Sequence, residues 1–432
     1  MVKDIEKQHL KAVRLSRALQ NKRAAKIFDS VGDSYLNLGN FDLARDCYIN
    51  AAKCSIKEEK FLIGLEFYRK AGTASLFNDQ ILEANGFYRE AINYISKLRS
   101  ASYRNQNFLL FSSLSYLCLF IKGEQKEGLK LVKKIKKSVD DLYFKENPLI
   151  RLISNLTMVT KEKNEKYVER IKKDFHNLKL REAEISLVKQ ALVIAKTISS
   201  LITKLKFDKN VYTTNEIINL ALIIDSKPLL EISNQKFYNY KLDELKITKV
   251  RVTLSENLAM HKKPEIPQII VIGKNRNIEL LIKSHFQMEN SKIGPILLSG
   301  ELNSSLIFKY EISQQLKPNL ISPPPSLDIS IKNLRTPLID KTFPLEILIE
   351  NKSEGDALNL NIEISFPEQI KVMRGTLKKQ IYSLKSNERI NWEINLKPVE
   401  AGDYIIIITS KFNDPDQNSI EEVKEFPLPI KL

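Results

Sequence analysis

The residues able to do chemistry are few and scattered. His9, His176, His261 and His285 share no spacing with one another, or with carboxylates, that would hold a metal or form a catalytic pair. Cys47, Cys54 and Cys118 are too few and too widely spaced for a disulfide framework or a zinc site, which fits a reduced, cytoplasmic compartment. No phosphate-binding loop, dinucleotide fingerprint or nucleophile elbow occurs. Gly294 and Gly300 are isolated glycines beside a predicted strand and form no phosphate cradle. The pattern predicts a non-enzymatic protein with no metal and no other cofactor. What remains is charge. Lys130, Lys133, Lys134, Lys136 and Lys137 crowd one predicted helix, and Arg170, Lys172 and Lys173 another. By default such runs are solvated helix faces. As a partner-binding surface they would suit an acidic helical bundle, another subunit of a complex, or an anionic membrane. Nucleic acid fits least, because no aromatics are interleaved and no binding motif is present.

The elements that must position these residues divide into two halves. Of 68 Lys+Arg and 52 Asp+Glu, 40 and 24 fall within residues 1–210, leaving 28 of each beyond, so the first half carries the whole net charge of +16. Of 16 prolines, only Pro148 precedes residue 210. Proline interrupts helices and is tolerated at turns and strand ends, so the first half should be helical and the second β. The longest apolar run, Phe108 to Ile121, is broken by serines and is shorter than the roughly 20 residues that cross a bilayer. It reads as a buried helix. Lys317 to Pro325, ending in three prolines, reads as an extended linker. The expected division is therefore a solenoid over 1–208, sandwiches over 209–316 and 326–432, and a Pro-rich linker over 317–325.

The helical half repeats itself. Phe28, Val31, Gly32 and Tyr35 are followed by Ala44, Tyr48 and Ala51; forty residues on, Tyr68, Ala71, Gly72 and Ser75 are followed by Ala84, Tyr88 and Ala91. Four of the seven positions are identical, and only Tyr35 against Ser75 differs in kind. Both copies resemble the tetratricopeptide (TPR) pattern, although the period exceeds its usual length of about 34 residues. Gly32 and Ala44 would let two helices approach, the aromatics would fill the gap to the next hairpin, and Gly39-Asn40 would supply a left-handed turn. Later helices, such as that carrying Leu129, Val132, Ile135 and Val139, keep helical spacing without the small residues. The expected result is a solenoid of about nine or ten helices, each hairpin burying its face on its neighbours.

With its 40-residue spacing and Ala-Ala-Lys or Ala-Gly pairs, the region over residues 20–205 resembles the soluble NSF attachment proteins, the SNAP family. The aromatic helix from Phe108, then Lys126 to Lys130, is similar to the opening of that family's C-terminal helical module. Asn147 to Leu152, Lys161 to Asn164 and Tyr167 are similar to the next part of that module. The resemblance implies an α-solenoid adaptor without a cofactor, recognising helical SNARE bundles and recruiting a disassembling ATPase. Two features differ. The family's apolar, membrane-touching loop corresponds here to Leu10–Lys26, which reads as basic and continuous. The family also engages its ATPase through a free helical end, whereas this chain continues for over 200 residues.

In the second half, Leu327, Ile329 and Ile331, then Leu345, Ile347 and Ile349, then Leu358 to Phe366, alternate with polar residues as half-buried strands do. Trp392, the single tryptophan, should be core. Strands predicted at Leu245–Leu254 and Gln268–Ile272 suggest a second sandwich of the same kind. Helical repeats with tandem sandwiches after them resemble large subunits of trafficking protein particle complexes and adaptor appendage domains. The expected fold class is multidomain α plus β: an N-terminal all-α TPR/SNAP-like solenoid, then two all-β immunoglobulin-like sandwiches. The expected function is an adaptor or scaffold in trafficking-like processes, cytoplasmic or peripheral to a membrane. The alternatives are a tethering or coat-like subunit docked through its sandwiches, and, more distantly, a binder of nucleic acid or anionic lipid.

Overall fold

The computed structural model describes residues 2–138, 147–238, 240–285, 290–333 and 335–431. Helices come first: α1 (Val2–Arg17), α2 (Asn21–Asn37), α3 (Phe41–Lys57), α4 (Phe61–Phe77), α5 (Ile81–Ile95), α6 (Ala101–Ile121), α7 (Gln125–Ser138), α8 (Pro148–Glu162), α9 (Lys166–Asp174) and α10 (Glu182–Ser200). From α2 to α6 a helix begins every twenty residues, so the forty-residue repeat is one hairpin.

The repeat packs through a small-against-aromatic contact. Gly32 lies so close to Tyr48 that a Cβ would sit 2.7 Å from its Cε1; Gly72 meets Tyr88 in the same way at 2.5 Å. Phe28, Tyr35, Tyr48, Tyr68 and Tyr88 are buried, as are Ala44, Ala51, Ala84 and Ala91. The turns repeat as well. Leu19, Gly39, Glu59 and Asp79 all have positive φ. The next amide in each turn, from Gln20, Asn40, Lys60 and Gln80, donates 2.9 Å to the carbonyl of Leu15, Tyr35, Ser55 and Ser75 respectively. This is the 6→1 bond of a Schellman cap. The turn at Leu19 separates α1 from α2, so the stretch from Leu10 to Lys26 is broken rather than continuous.

The β half holds two sandwiches, each of two four-stranded sheets. In the first, the order β1-β3-β7-β5 comprises Ile202–Phe207, Ile217–Asp225, Asn275–Ser284 and Leu258–Lys262. Its partner sheet, β6-β4-β8-β9, comprises Gln268–Val271, Glu244–Leu254, Ile293–Leu302 and Leu306–Ile312. The second sandwich joins β11-β12-β16-β14 (Leu327–Asn333, Phe343–Asn351, Arg389–Pro398, Ile370–Arg374) to β15-β13-β17-β18 (Lys378–Leu384, Ala357–Ser365, Gly402–Asn413, Ser419–Ile430). The predicted alternation is real: Phe343, Leu345, Ile347 and Ile349 face the core, with Trp392 beside Ile347.

Two expected boundaries move. β1 pairs with β3 along its length, so the helical part ends at Ser200 and not at residue 208. The 317–325 segment is stitched to both sandwiches rather than free. Leu320 and Ile321 (β10) pair in parallel with Tyr212 and Thr213 (β2). Ser322 N donates to Asp416 Oδ2 at 3.0 Å, and the Pro323 carbonyl occupies the space a Cβ on Gly355 would need. The strand sits just before the proline run, and its pairing partner lies over a hundred residues away in sequence.

The helices and the first sandwich share one hydrophobic core running from Ile5 to Leu320, whereas the second sandwich has its own. Helix α10 joins the shared core, contacting α4, α6, α8 and β9. At its start, Arg69 of α4 forks onto Glu184, with Nε at 2.8 Å and Nη2 at 2.6 Å; Glu184 is 0% exposed. At its end Lys196, 1% exposed, is held by Glu165 and by Glu231 at 2.7 Å, the latter on a short helix, α11 (Leu230–Asn234). Burial pulls the Lys196 pKa down, but its hydrogen bonds to the two glutamates outweigh that and hold it above the ordinary lysine value. The Lys196 hydrogen bond holds Glu231 below the usual glutamate range. The lysine's contribution is present below its unfolded pKa and lost as pH rises through its folded one. That of Glu231 is present above its unfolded pKa and lost as pH falls through its folded one. Neutral pH therefore keeps both.

These contacts set expectations for stability. Leu19→Gly, Glu59→Gly and Asp79→Gly should each stabilise the fold by about 0.5–1 kcal/mol, because glycine alone adopts positive φ without strain. Gly39→Ala should lose about as much, since no atom within 4 Å would meet the added methyl and only φ counts. A set of denaturant melts in which all four variants coincide would refute the shared cap. For the lock on α10, Lys196→Met should change stability little, since Glu165 and Glu231 can return to water. Glu165→Gln with Glu231→Gln should destabilise by about 1–3 kcal/mol, because it strands a buried ammonium. The reverse order in thermal melts would show that the lock is not what holds this interface.

Candidate functional site

Helix α7 is held by one face. Val132 and Ile135 are buried, and Gly128 backs onto Tyr116 of α6, where a Cβ would be 3.2 Å from the ring. With those residues facing inward, Lys133, Lys134 and Lys137 face solvent, and none has a carboxylate within ion-pair distance among the described residues. Lys130 is exposed too but is paired with Glu127 at 2.6 Å, and that hydrogen bond holds the Glu127 carboxyl below its usual range. Lys136 lies on the same helix, but its side chain is outside the described residues.

The second predicted cluster divides. Arg170 is exposed, its guanidinium over the Tyr167 ring at 5.5 Å from the centroid, and Lys173 is exposed beside it. Lys172 turns the other way. Only 15% exposed, it pairs with Glu169 at 2.8 Å, donates to Gln235 at 3.0 Å and lies over Phe237 and Tyr238. It joins α9 to the first sandwich and is not free for a partner, contrary to the sequence expectation. A charge count along the helix could not reveal this, because Glu169 aside, the residues that claim Lys172 lie over sixty positions away.

Between α8 and α9 runs a cleft of about 410 Å³. Arg151, Ser154 and Asn155 line one side, Arg170, Lys173 and Asp174 the other, over Ile150. Asp174 is committed to Arg151, whose Nε is 2.8 Å from Oδ2. Asn147 caps α8 by accepting from Leu149 N at 2.9 Å, with Pro148 in the first turn, so the near wall is a well-started helix. Ser154 and Asn155 went unnoticed in the sequence: a lone Ser-Asn pair in a helix has no signal until α9 is placed beside it. The same is true of Lys196 and Glu184, which read as ordinary helix-face charges.

The four histidines stay apart. His9 packs edge-on to Phe28 at 5.9 Å, and His176 to Phe175 at 6.3 Å. Among the described residues no three His, Cys, Asp or Glu side chains gather to hold a metal. No described helix is long and apolar enough to cross a membrane.

No protein-family model matches the chain, and no curated protein matches it. Among solved structures, it is similar over 24% of its length to the cohesin module of a family 33 glycoside hydrolase from Clostridium perfringens, at 12% identity, with 96% of that module covered and a TM-score of 0.19. It is also similar over 59% of its length to red sea bream transglutaminase, at 9% identity and a TM-score of 0.20, spanning 34% of that chain. Scores this low carry no argument about the fold or function of the chain.

Proposed function

We propose that this chain is a non-enzymatic adaptor of the TPR/SNAP-like kind, whose basic solenoid grips acidic helical partners in a trafficking-like assembly. One observation carries the reading. Some solenoid cations are spent inside the molecule, Arg45 on Asp42 and Glu83, Lys70 on Asp29 and Asp33, Arg69 on Glu184, and exposed ones such as Lys7, Lys22 and Lys53 are dispersed over other helices. Lys133, Lys134 and Lys137 have no such carboxylate among the described residues. Three neighbouring unpaired cations repel one another, and an acidic surface relieves that repulsion. The repeat supports the same reading, since stacked hairpins offer an extended surface for other proteins. A cytoplasmic site of action, with peripheral membrane contact where the partner is membrane-bound, belongs to this proposal.

A second reading rests on the outer face of the second sandwich. Ile405, Ile407 and Val423 are exposed on adjacent strands β17 and β18, and Tyr382 on β15 is 87% exposed. Such a face suits a subunit of a tethering or coat-like complex, in which the sandwich docks onto another subunit.

The two readings predict opposite sensitivities. Changing Lys133, Lys134 and Lys137 to glutamate should weaken binding to an acidic four-helix bundle by about tenfold or more, and the wild-type affinity should fall steeply above about 0.15 M salt. The melting curve should not move, since glutamate is also a good helix former. Affinity indifferent to both salt and reversal would remove the basic face from the function. For the docking face, Ile405→Lys with Val423→Lys should leave that affinity unchanged but release any co-purifying subunit. If the full complex survives this pair on size exclusion, the sandwich is not the docking element. Preferential capture of duplex nucleic acid or anionic vesicles over the bundle would replace both readings.

A further inference from the structure

We propose that the cleft between α8 and α9 is the anchor point for one acidic side chain of the partner polypeptide; this rests on the adaptor reading above and names its seat. Four groups able to donate hydrogen bonds line this one cleft without a hydrogen-bond acceptor or carboxylate partner among the described residues: the Ser154 hydroxyl, the Asn155 amide, the Arg170 guanidinium and the Lys173 ammonium. Among the described residues the one acid lining it, Asp174, is already bound to Arg151. The cleft is therefore cationic, with donors on both walls.

The geometry also selects the ligand. Arg170 is laid against the Tyr167 ring, and that ring is fixed by its hydroxyl donating 2.5 Å to Glu162 Oε2, so the guanidinium is biased toward the cleft wall. A planar guanidinium beside a hydroxyl and an amide matches a carboxylate by paired hydrogen bonds. A phosphate dianion would place twice the charge beside Asp174, so a single carboxylate fits better. Ile150 beneath adds an apolar floor for the methylene stem of that residue or for an aliphatic neighbour. The volume of about 410 Å³ is within the range of small-ligand sites and admits a few side chains. The cleft thus reads one Glu or Asp on an amphipathic segment, whereas α7 attracts acidic surfaces at longer range.

The test uses the full chain and two fluorescent probes: an amphipathic helical peptide with a glutamate-rich face, and the same peptide with glutamine in place of glutamate. Anisotropy is read at about 0.05 M salt, where exposed charges are weakly screened. Arg170→Gln with Lys173→Gln should weaken the glutamate peptide by about tenfold or more, and Ser154→Ala with Asn155→Ala by about threefold, as lost charged and neutral hydrogen bonds imply. The glutamine peptide should bind all proteins equally weakly. The charge-matched pair Lys332→Gln with Lys371→Gln, exposed on the second sandwich, should cost almost nothing. Circular dichroism melts identical to wild type exclude misfolding. The cleft is overturned if its variants bind like wild type, or if the charge-matched pair loses as much. Loss on reversing the α7 lysines, with binding untouched by the cleft variants, would leave the adaptor reading standing and the anchor refuted. Failure of the wild-type chain to bind the glutamate peptide at all would sink both.

Discussion

Arg69 reaches Glu184, which is wholly buried at the start of α10, and the placement of everything downstream depends on that fork. Glu184 accepts both guanidinium bonds and also the Arg181 amide at 2.9 Å, so its charge is satisfied by fixed donors at the start of α10. A buried pair of this kind adds little net stability over an apolar one, because desolvation takes back most of the attraction; what it supplies is register. A slide of α10 by one turn along α4 would leave a carboxylate without a partner in the core. With α10 fixed, its far end puts Lys196 between Glu165 and Glu231, and the Leu201 carbonyl where the Tyr310 hydroxyl donates at 3.2 Å. Helices and first sandwich therefore share one core because one helix is pinned at both ends.

What the sequence reveals depends on how far apart the partners are. The Gly32–Tyr48 and Gly72–Tyr88 contacts span sixteen residues and repeat, so residue types alone expose them. The left-handed turn is visible only at Gly39; Leu19, Glu59 and Asp79 adopt it against their own preference because the hairpin spacing demands it. Alternation gives the strands of the second sandwich, whereas the pairing of Leu320 with Tyr212 spans all of the first sandwich after β1 and leaves no local trace. The site divides in the same way. Arg170 and Lys173 are legible as charge, and Lys172 is misread as the same thing, because only tertiary structure distinguishes a cation facing water from one facing Phe237 and Tyr238.

A net charge of +16 thus describes three populations rather than one field. Arg45 and Lys70 join helices within the solenoid. Lys163, Lys172 and Lys196 join the solenoid to the first sandwich, Lys163 by donating to the Glu311 carbonyl and lying over Tyr310. Many others face outward, dispersed over several helices and strands, and Lys133, Lys134 and Lys137 on α7 with Arg170 and Lys173 on α9 are the clustered ones. The first two populations act at contact distance and are partly shielded from solvent, so salt weakens them less; the third is exposed and screened within about 8 Å at physiological ionic strength. On the adaptor reading, salt would weaken attraction to a partner more than it weakens the contacts that hold the helices together.

That separation bears on how binding would be transmitted. The cleft is walled by α8 and α9, and α9 is tied by Lys172 to Gln235 in the first sandwich, while Phe175 just beyond it stacks edge-on to Phe237 at 5.0 Å. A ligand seated against Arg170 would meet a wall already braced by the β body, so little conformational entropy remains to be lost on binding. The bracing does not stop there. Because the Pro323 carbonyl fills the space beside Gly355 and Asn215 donates to Glu354 at 2.9 Å, the second sandwich is also held against the first. A partner gripped by the solenoid and a subunit docked on the second sandwich would then be set at a fixed distance by packed contacts rather than by a tether, which is the mechanical requirement of a scaffold.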